Sequence, residues 1–159
     1  MKPRIYIAAP LFSAAEKMFN SELKTALSPH FQVFLPQEDG MLMVELIARG
    51  VTASDASKCV FKGDIQAIAA VDAVVAVLDG RSIDEGAAFE LGYAFAIGKT
   101  CVALQTDTRR LASFGNNPMI DGCLSLTFAT VRDLTEWAMD FCRLKGSPVE
   151  LPTLASRSS

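Results

Sequence analysis

The chain has 159 residues, of which 50% are hydrophobic, and its formal net charge is −3 at pH 7. This length and composition predict one folded domain and argue against a disordered chain. The small charge gives no electrostatic basis for binding a nucleic-acid polymer or an anionic membrane. No apolar run reaches the roughly 18 residues of a membrane-spanning helix. We therefore expect a single domain over residues 1–146 and a loose, polar tail over 147–159.

The first predicted elements are a strand and a helix. RIYIAA (4–9) predicts a buried strand. The start of the chain superficially resembles a signal peptide, but Pro10 interrupts its apolar run too early, so we expect a cytoplasmic protein. A helix is predicted over 13–27, where Ser13 has an N-capping side chain and Glu16 stands at the capping-box position.

The middle of the chain continues the alternation of strands and helices. FQVFL (31–35) predicts a second strand, and MLMVELIARG (41–50) predicts a short helix that ends at its glycine. The next segment, 54–72, predicts a longer helix with Ser54 or Asp55 as its N-cap.

The second half of the chain repeats the pattern. AVVAVL (73–78) is a continuous apolar strand, which is typical of a sheet covered on both faces. A helix over 85–98, strands over 100–105 and 124–128 and a last helix over 130–146 follow. This order predicts an α/β fold of the flavodoxin-like, doubly wound type. It would have about five parallel strands with helices on both faces. Ligands of such folds bind beyond the carboxyl ends of the strands.

The cysteines and the histidine give no support for a metal site. The four cysteines show no C-x-x-C spacing and lie in apolar stretches, so we expect reduced core residues. His30, the only histidine, falls in a turn-like segment and cannot anchor a histidine-based metal site alone.

A carboxylate in an apolar helix is the most informative feature of the sequence. Glu90 lies among apolar neighbours, one helical turn from Gly86 and Ala87, whose small side chains leave a hollow beside it. Asp84 immediately precedes this helix, where it could cap free amides or face the same hollow. The alternative for Glu90 is a solvated helix position that only looks buried.

Several carboxylates near one sheet edge suit glycosyl chemistry. One carboxylate attacks the anomeric carbon and another acid protonates the leaving group. Asp64 and the QED segment that begins at Gln37 are further candidates, beside Glu90 and Asp84. The chain has no phosphate-binding G-x-x-x-x-G-K-[ST] loop and no G-x-G-x-x-G after the first strand, which disfavours kinase-like and dinucleotide-dependent functions.

Three segments in order resemble one known family. IYIAAPLF, KGDIQAIAAVDAVVAVLDG and DEGAAFELGYAFAIGK together resemble the nucleoside 2-deoxyribosyltransferase family, over about residues 4–129. The resemblance implies a flavodoxin-like fold and a ping-pong transfer of 2-deoxyribose between nucleobases of 2′-deoxynucleosides, without a cofactor. It also implies a role in nucleobase salvage.

The resemblance also implies roles for individual residues. Glu90 matches the family's nucleophilic glutamate, which forms a covalent deoxyribosyl ester, and Tyr6 matches a tyrosine that steadies it. Asp84 matches the aspartate that contacts the base and helps to move its proton, and Asp64 matches a second base-side aspartate.

Further residues are expected to bind substrate. Asn117 and Met119 match an Asn-x-Met element that a neighbouring subunit lends to the site, although Asn116 competes for the role of the asparagine. Phe12, Gly86 and Gln37 complete the predicted substrate contacts; a surface turn is equally compatible with Gln37.

Shared sites imply a homo-oligomer, at least a dimer. The hydrophobic helices 41–50 and 55–71 are its candidate contact surfaces, with ordinary core packing as the alternative. Some family members end in a tyrosine that reaches a neighbour's site, whereas this sequence ends in LASRSS, so the preference for purines or pyrimidines stays open.

Two other functions remain as alternatives. The first is a hydrolase of the same superfamily that splits 2′-deoxynucleoside 5′-monophosphates. Phosphate binding needs donors, and the first loop offers Ser13 and Lys17 but no arginine, which favours neutral nucleosides. The second is a non-catalytic nucleotide-binding module, which the fold alone would permit.

Overall fold

A five-stranded parallel sheet in the order β2-β1-β3-β4-β5 forms the centre of the molecule. The computed structural model describes residues 1–107 and 115–146. The strands are β1 (Arg4–Ala8), β2 (Gln32–Phe34), β3 (Ala73–Val77), β4 (Thr100–Leu104) and β5 (Leu126–Phe128). This strand order is that of flavodoxin-like doubly wound folds, so the predicted fold class is confirmed.

Seven helices connect or flank these strands among the described residues. They are α1 (Ala14–Leu27), α2 (Pro36–Asp39), α3 (Met43–Ala48), α4 (Ala53–Ala70), α5 (Glu85–Ala96), α6 (Pro118–Asp121) and α7 (Val131–Gly146). The short helices α2 and α6 were not predicted, and a proline at the first position preorganises each of them. The expected loose tail, 147–159, lies outside the described residues.

The sheet separates two hydrophobic layers. Alternate residues of β1 point to opposite faces, so Ile5 and Ile7 enter one layer while Tyr6 and Ala8 enter the other. The first layer, which we call the α1/α7 layer, contains the large buried side chains Ile5, Ile7, Leu23, Leu27, Phe31, Leu35, Leu104 and Leu134. The second layer, which we call the α4/α5 layer, contains more alanines. Its buried residues include Tyr6, Ala8, Ile68, Val74, Ala76, Ala87, Leu91, Ala94 and Ala103.

Most helix ends follow from local sequence, with one correction. Ser13 caps α1 through the predicted capping box with Glu16. The N-cap of α4 is Thr52, whose hydroxyl accepts the Asp55 amide, so the expectation of Ser54 or Asp55 as the cap is wrong. The helix begins earlier because Thr52 places its oxygen over the first turn and Asp55 becomes the third helical residue.

The cysteines differ from the expected core positions in one case. All four cysteines are free, and Cys101 is buried, but Cys59 is exposed on α4. Its position on the outward face of an amphipathic helix explains why its apolar neighbours misled the prediction. In the described part of the chain, no helix is long and apolar enough to cross a membrane.

Candidate active site

Glu90 lies on α5, the helix that follows the central strand β3. Ala87, Leu91 and Ala94 turn the buried face of this helix toward the sheet, and their small average size brings the helix close to β1, β3 and β4. Glu90 lies beside that face, and its Oε1 accepts a hydrogen bond of 2.5 Å from the hydroxyl of Tyr6. Glu90 is partly buried, unlike the solvated helix position that the sequence left as its alternative.

Tyr6 is held rigidly from the middle of the sheet. Its side chain is fully buried on β1, and its ring stacks on Phe34 with 5.4 Å between centroids. Burial raises the pKa of Tyr6 far above its usual value, and the negative charge of Glu90 raises it further. The hydroxyl thus keeps its proton and acts as a fixed donor to Glu90.

The carboxyl of Glu90 has an unusually high pKa. Burial raises its pKa to about 7, and the charges of Asp64 and Asp84 act in the same direction. The hydrogen bond from Tyr6 opposes them, because it stabilises the ionised form. Glu90 therefore changes its protonation state near neutral pH, which is typical of a functional carboxyl group.

Asp64 shares a cavity with Glu90. The cavity, which we call the Glu90 cavity, has a volume of about 260 Å³ between α3, α4 and α5. Its lining residues are Met43, Ser57, Val60, Phe61, Asp64, Ile65, Ile68, Gly86, Phe89 and Glu90. Burial raises the pKa of Asp64 to about 6, so this cavity combines an apolar wall with two carboxyls that hold protons unusually tightly.

Asp84 and Gly86 shape the start of α5. Oδ1 of Asp84 accepts the amide of Ala87 at 2.8 Å, so Asp84 is the helix N-cap, one of the two roles that the sequence left open. A Cβ at Gly86 would lie 3.1 Å from that same Oδ1. Glycine is therefore the residue that leaves room both for the cap and for the cavity beside Glu90.

A second pocket lies on the other side of the start of α5. This pocket, the Phe12 pocket, has a volume of about 370 Å³ and is lined by Pro10, Phe12, Glu16, Asp79, Gly80, Ser82, Ile83, Asp84 and Glu85. Phe12 is 78% exposed at its edge. Asp84 thus faces a more polar space than Glu90 does, although its charge still reaches Glu90.

The other predicted substrate contacts lie elsewhere. Gln37 lines neither cavity, and its side-chain amide is bonded to α1. Asn117 caps α6 by accepting the amide of Met119, and Met119 is 78% exposed. Asn116 is bonded to Gln105 and Asp121. Within one chain, the structure does not bring these side chains to Glu90. The contact of Gln37 with the substrate, and the role of the Asn117–Met119 element in a neighbour's site, stay predictions.

Two aromatic residues of the Glu90 cavity were not predicted. Phe61 and Phe89 are both more than half exposed and contact each other with ring centroids 5.9 Å apart. The signal was present, because Phe61 lies one helical turn before Asp64 and Phe89 directly precedes Glu90. Only the packing of α4 against α5 shows that the two rings meet.

Comparison with solved structures identifies similar folds. A conserved protein from Enterococcus faecalis V583 has a TM-score of 0.75 and 28% sequence identity, over 89% of this chain and 99% of its own. The 2-deoxyribosyltransferase of Bacillus psychrosaccharolyticus has a TM-score of 0.71 and 25% identity, over 87% and 95%. The CMP N-glycosidase BcmB of Clostridium botulinum has a TM-score of 0.50 and 17% identity, over 86% and 98%, and is similar in fold.

Sequence comparison points to a family. No curated protein sequence matches the chain at a significant level. The sequence pattern described as nucleoside 2-deoxyribosyltransferase matches residues 5–140, which is most of the chain and includes every helix and strand around the two cavities. The chain therefore belongs to the nucleoside 2-deoxyribosyltransferase family, whose members act on nucleosides and nucleobases.

Proposed function

We propose that this protein transfers 2-deoxyribose between nucleobases and that Glu90 is the nucleophile. One observation carries the proposal: the Glu90 carboxylate lies beside an apolar cavity and is held by the buried Tyr6 hydroxyl at 2.5 Å. A carboxylate that is fixed in place and poorly hydrated can attack a sugar carbon without first losing a water shell.

The first half of the reaction forms an ester. A Glu90 oxygen attacks C1′ of a 2′-deoxynucleoside while the bond from C1′ to the base nitrogen breaks, and the bonding electrons leave with the base. The base takes up one proton from an acid of the site. A deoxyribosyl ester of Glu90 remains. The sugar has no 2-hydroxyl, so positive charge develops on it readily, and few residues are needed to stabilise the transition state.

The second half of the reaction releases the sugar to another base. A nitrogen of the incoming base attacks C1′, the ester bond to Glu90 breaks, and the proton of that nitrogen returns to the acid. Two inversions at C1′ retain the β configuration. Glu90 is regenerated as a carboxylate, which the Tyr6 hydroxyl stabilises.

Asp64 and Asp84 are the candidate acids, and they differ in surroundings. Asp64 shares the Glu90 cavity, and burial raises its pKa to about 6, so it keeps its proton to a higher pH than an ordinary aspartate. One carboxylate oxygen of Asp84 already accepts a hydrogen bond from the N-terminus of α5. This difference favours Asp64 as the proton donor and Asp84 as a residue that orients the helix and the base.

Base exchange is the test that separates the proposal from its alternative. Deoxyinosine is incubated with and without adenine, and products are followed by chromatography. We expect deoxyadenosine to form only with adenine, together with free hypoxanthine. Free sugar released at the same rate in both reactions, without deoxyadenosine, would instead support an N-glycosidase, and deoxyinosine 5′-monophosphate would then be tested as its substrate.

Direct detection of the ester tests the role of Glu90. Fluorine at C2′ of the nucleoside destabilises the positively charged transition states of both steps, so in the absence of an acceptor base the ester should form slowly and persist. Mass spectrometry of the digested protein should find one sugar on the peptide that contains Glu90. An adduct on another carboxylate, or none in a protein that exchanges bases, would contradict the assignment.

A homo-oligomer is the second part of the proposal. Exposed apolar side chains on α3, α4 and α5, among them Val44, Phe61 and Phe89, form a face that a second copy could cover. Asn117 and Met119 would then complete a neighbour's site rather than their own. Sedimentation should find a dimer or a larger assembly, and a strictly monomeric active protein would exclude shared sites.

A further inference from the structure

Gln37 is bonded so completely that it has no N–H left for a nucleobase. Its Nε2 donates to the carbonyl of Lys17 at 2.9 Å and to the hydroxyl of Ser21 at 3.2 Å. Its Oε1 accepts a hydrogen bond of 3.0 Å from the side chain of Asn20. An amide nitrogen carries two protons, so both donors of Gln37 are engaged with α1.

Asn20 links Gln37 to the loop between β1 and α1. Asn20 is only 1% exposed, and it is the single buried polar residue in the described ranges. Its Nδ2 donates one proton to Gln37 and the other to the carbonyl of Pro10 at 2.8 Å. A buried amide whose protons are both bonded fixes the distance between the two groups that it joins.

The loop held in this way carries Phe12. Pro10 and Phe12 both line the Phe12 pocket, which Asp84 also lines. The other end of the loop is held by Glu16, whose Oε2 accepts the amides of Phe12 at 3.0 Å and Ser13 at 2.7 Å. Asn20 fixes the start of the segment and Glu16 fixes its end, so Phe12 stays exposed on a backbone that is held on both sides.

We propose that Asn20 and Gln37 are positioning residues that act together through Pro10 on Phe12, and that Gln37 does not contact the base. The pair joins α2 to the loop that borders the Phe12 pocket. The Gln37–Asn20 and Asn20–Pro10 hydrogen bonds lie in series between α2 and the loop, so the loss of either one breaks the same link, and the two side chains act as one unit. The expected effects on KM rest on the proposed function. The expected effect on the mobility of the loop does not depend on that function.

A double-mutant cycle of Asn20→Ala and Gln37→Ala tests the proposal. Each single variant should raise KM for deoxyinosine about fivefold, the equivalent of one neutral hydrogen bond, with kcat nearly unchanged. The double variant should be no worse than the poorer single variant, because both changes break the same link between α2 and the loop. Fold-changes in KM that multiply in the double variant would overturn the proposal.

Acceptor preference separates positioning from base contact. The ratio of rates with adenine and cytosine should change equally in both single variants, because Phe12 mediates both effects. A ratio that changes in Gln37→Ala and not in Asn20→Ala would place Gln37 against the base and overturn the proposal. Thr25→Ala is the control, because its hydroxyl bonds only within α1, and its KM should equal that of the wild type.

Amide hydrogen exchange gives a readout that needs no activity. The amides of residues 11–13 should exchange faster in both single variants than in the wild type and in Thr25→Ala. Unchanged exchange would overturn the positioning role, even in an active enzyme. A wild type that transfers no deoxyribose would refute the proposed function, while faster exchange in the variants would still support the link to the loop. If Asn20→Ala does not fold, the test is the rate of amide exchange of residues 11–13 in Gln37→Ala compared with the wild type and Thr25→Ala.

Discussion

The two faces of the sheet are built from different side chains. One face forms a densely filled apolar layer, and the other combines apolar packing with polar groups at its edge. The α1/α7 layer is filled with leucine, isoleucine and aromatic side chains, and its nearby charges, such as Lys24 with Glu38 and Asp39, pair on the outside. The α4/α5 layer is richer in alanine, and a tyrosine hydroxyl and a carboxylate meet at its edge.

Side-chain size explains this difference. Large side chains fill the space between a helix and a sheet and exclude water, which favours stability. Small side chains let α5 lie close to the strands, and Gly86, which has no side chain, leaves open space beside Glu90. The same strand, β1, serves both purposes, because alternate residues such as Ile5 and Tyr6 face opposite layers. Substitutions on the two faces should therefore have different consequences.

Glu90→Gln should have the largest effect. Without the nucleophile, turnover should fall by about 10³-fold or more, while the fold remains intact. Burial raises the pKa of Glu90 to about 7, so this carboxyl stabilises the folded state below its unfolded pKa, and that contribution is lost as pH rises through about 7. Glutamine stays neutral, so the variant should melt at a higher temperature than the wild type near pH 8 and not near pH 4. Equal turnover, measured by base exchange, would contradict the proposed function.

Tyr6→Phe should have the next largest effect, and it should depend on pH. In the wild type, kcat/KM should fall as pH drops below about 7, because a protonated Glu90 cannot attack C1′. Removing the Tyr6 hydroxyl removes a bond that lowers the pKa of Glu90, so the midpoint should move to higher pH. Near neutral pH we expect a loss of about tenfold to hundredfold, the equivalent of a hydrogen bond to a charged group. The measurement is a full pH profile of kcat/KM. A midpoint at lower pH in Tyr6→Phe than in the wild type would contradict the expectation that the Tyr6 hydroxyl lowers the pKa of Glu90.

Gly86→Ala should have a moderate effect on activity. The added Cβ would lie 3.1 Å from Oδ1 of Asp84 and would reduce the space of the Glu90 cavity. We expect kcat/KM to fall by about tenfold, mainly through KM. Gly92→Ala on the same helix is the matched control, because a Cβ there meets nothing within 4 Å. The control should keep its activity and gain about 0.5–1 kcal/mol in stability, measured by urea unfolding.

Leu23→Ala, in the α1/α7 layer, should have the smallest effect on the chemistry. Leu23 is 1% exposed, so its truncation should lower the free energy of unfolding by about 2–5 kcal/mol. Activity per folded molecule and the pH midpoint should match the wild type, because this layer faces away from Glu90. A shifted midpoint would show that the two layers are coupled through β1.

Much of the fold could be predicted because its signals are local. The capping box of Ser13 with Glu16, the positive φ of Gly50 and Gly98 after their helices, and the apolar run of β3 each depend on neighbours in sequence. The wrong prediction for the start of α4 also has a local cause, because Thr52 rather than Ser54 or Asp55 is the N-cap of this helix. The family resemblance added the proposed roles around Glu90, which the structure places beside a cavity.

The sequence by itself determined the order of elements, the parallel sheet and the unusual acid at position 90, because periodicity, caps and composition act over a few residues. Only the tertiary structure decided which side chains meet. The bond from Tyr6 to Glu90 spans 84 positions, and the bonds that engage Gln37 span 16 to 20. Such contacts depend on strand register and on the way helices pack across the sheet, and these arise from the whole chain rather than from any one segment.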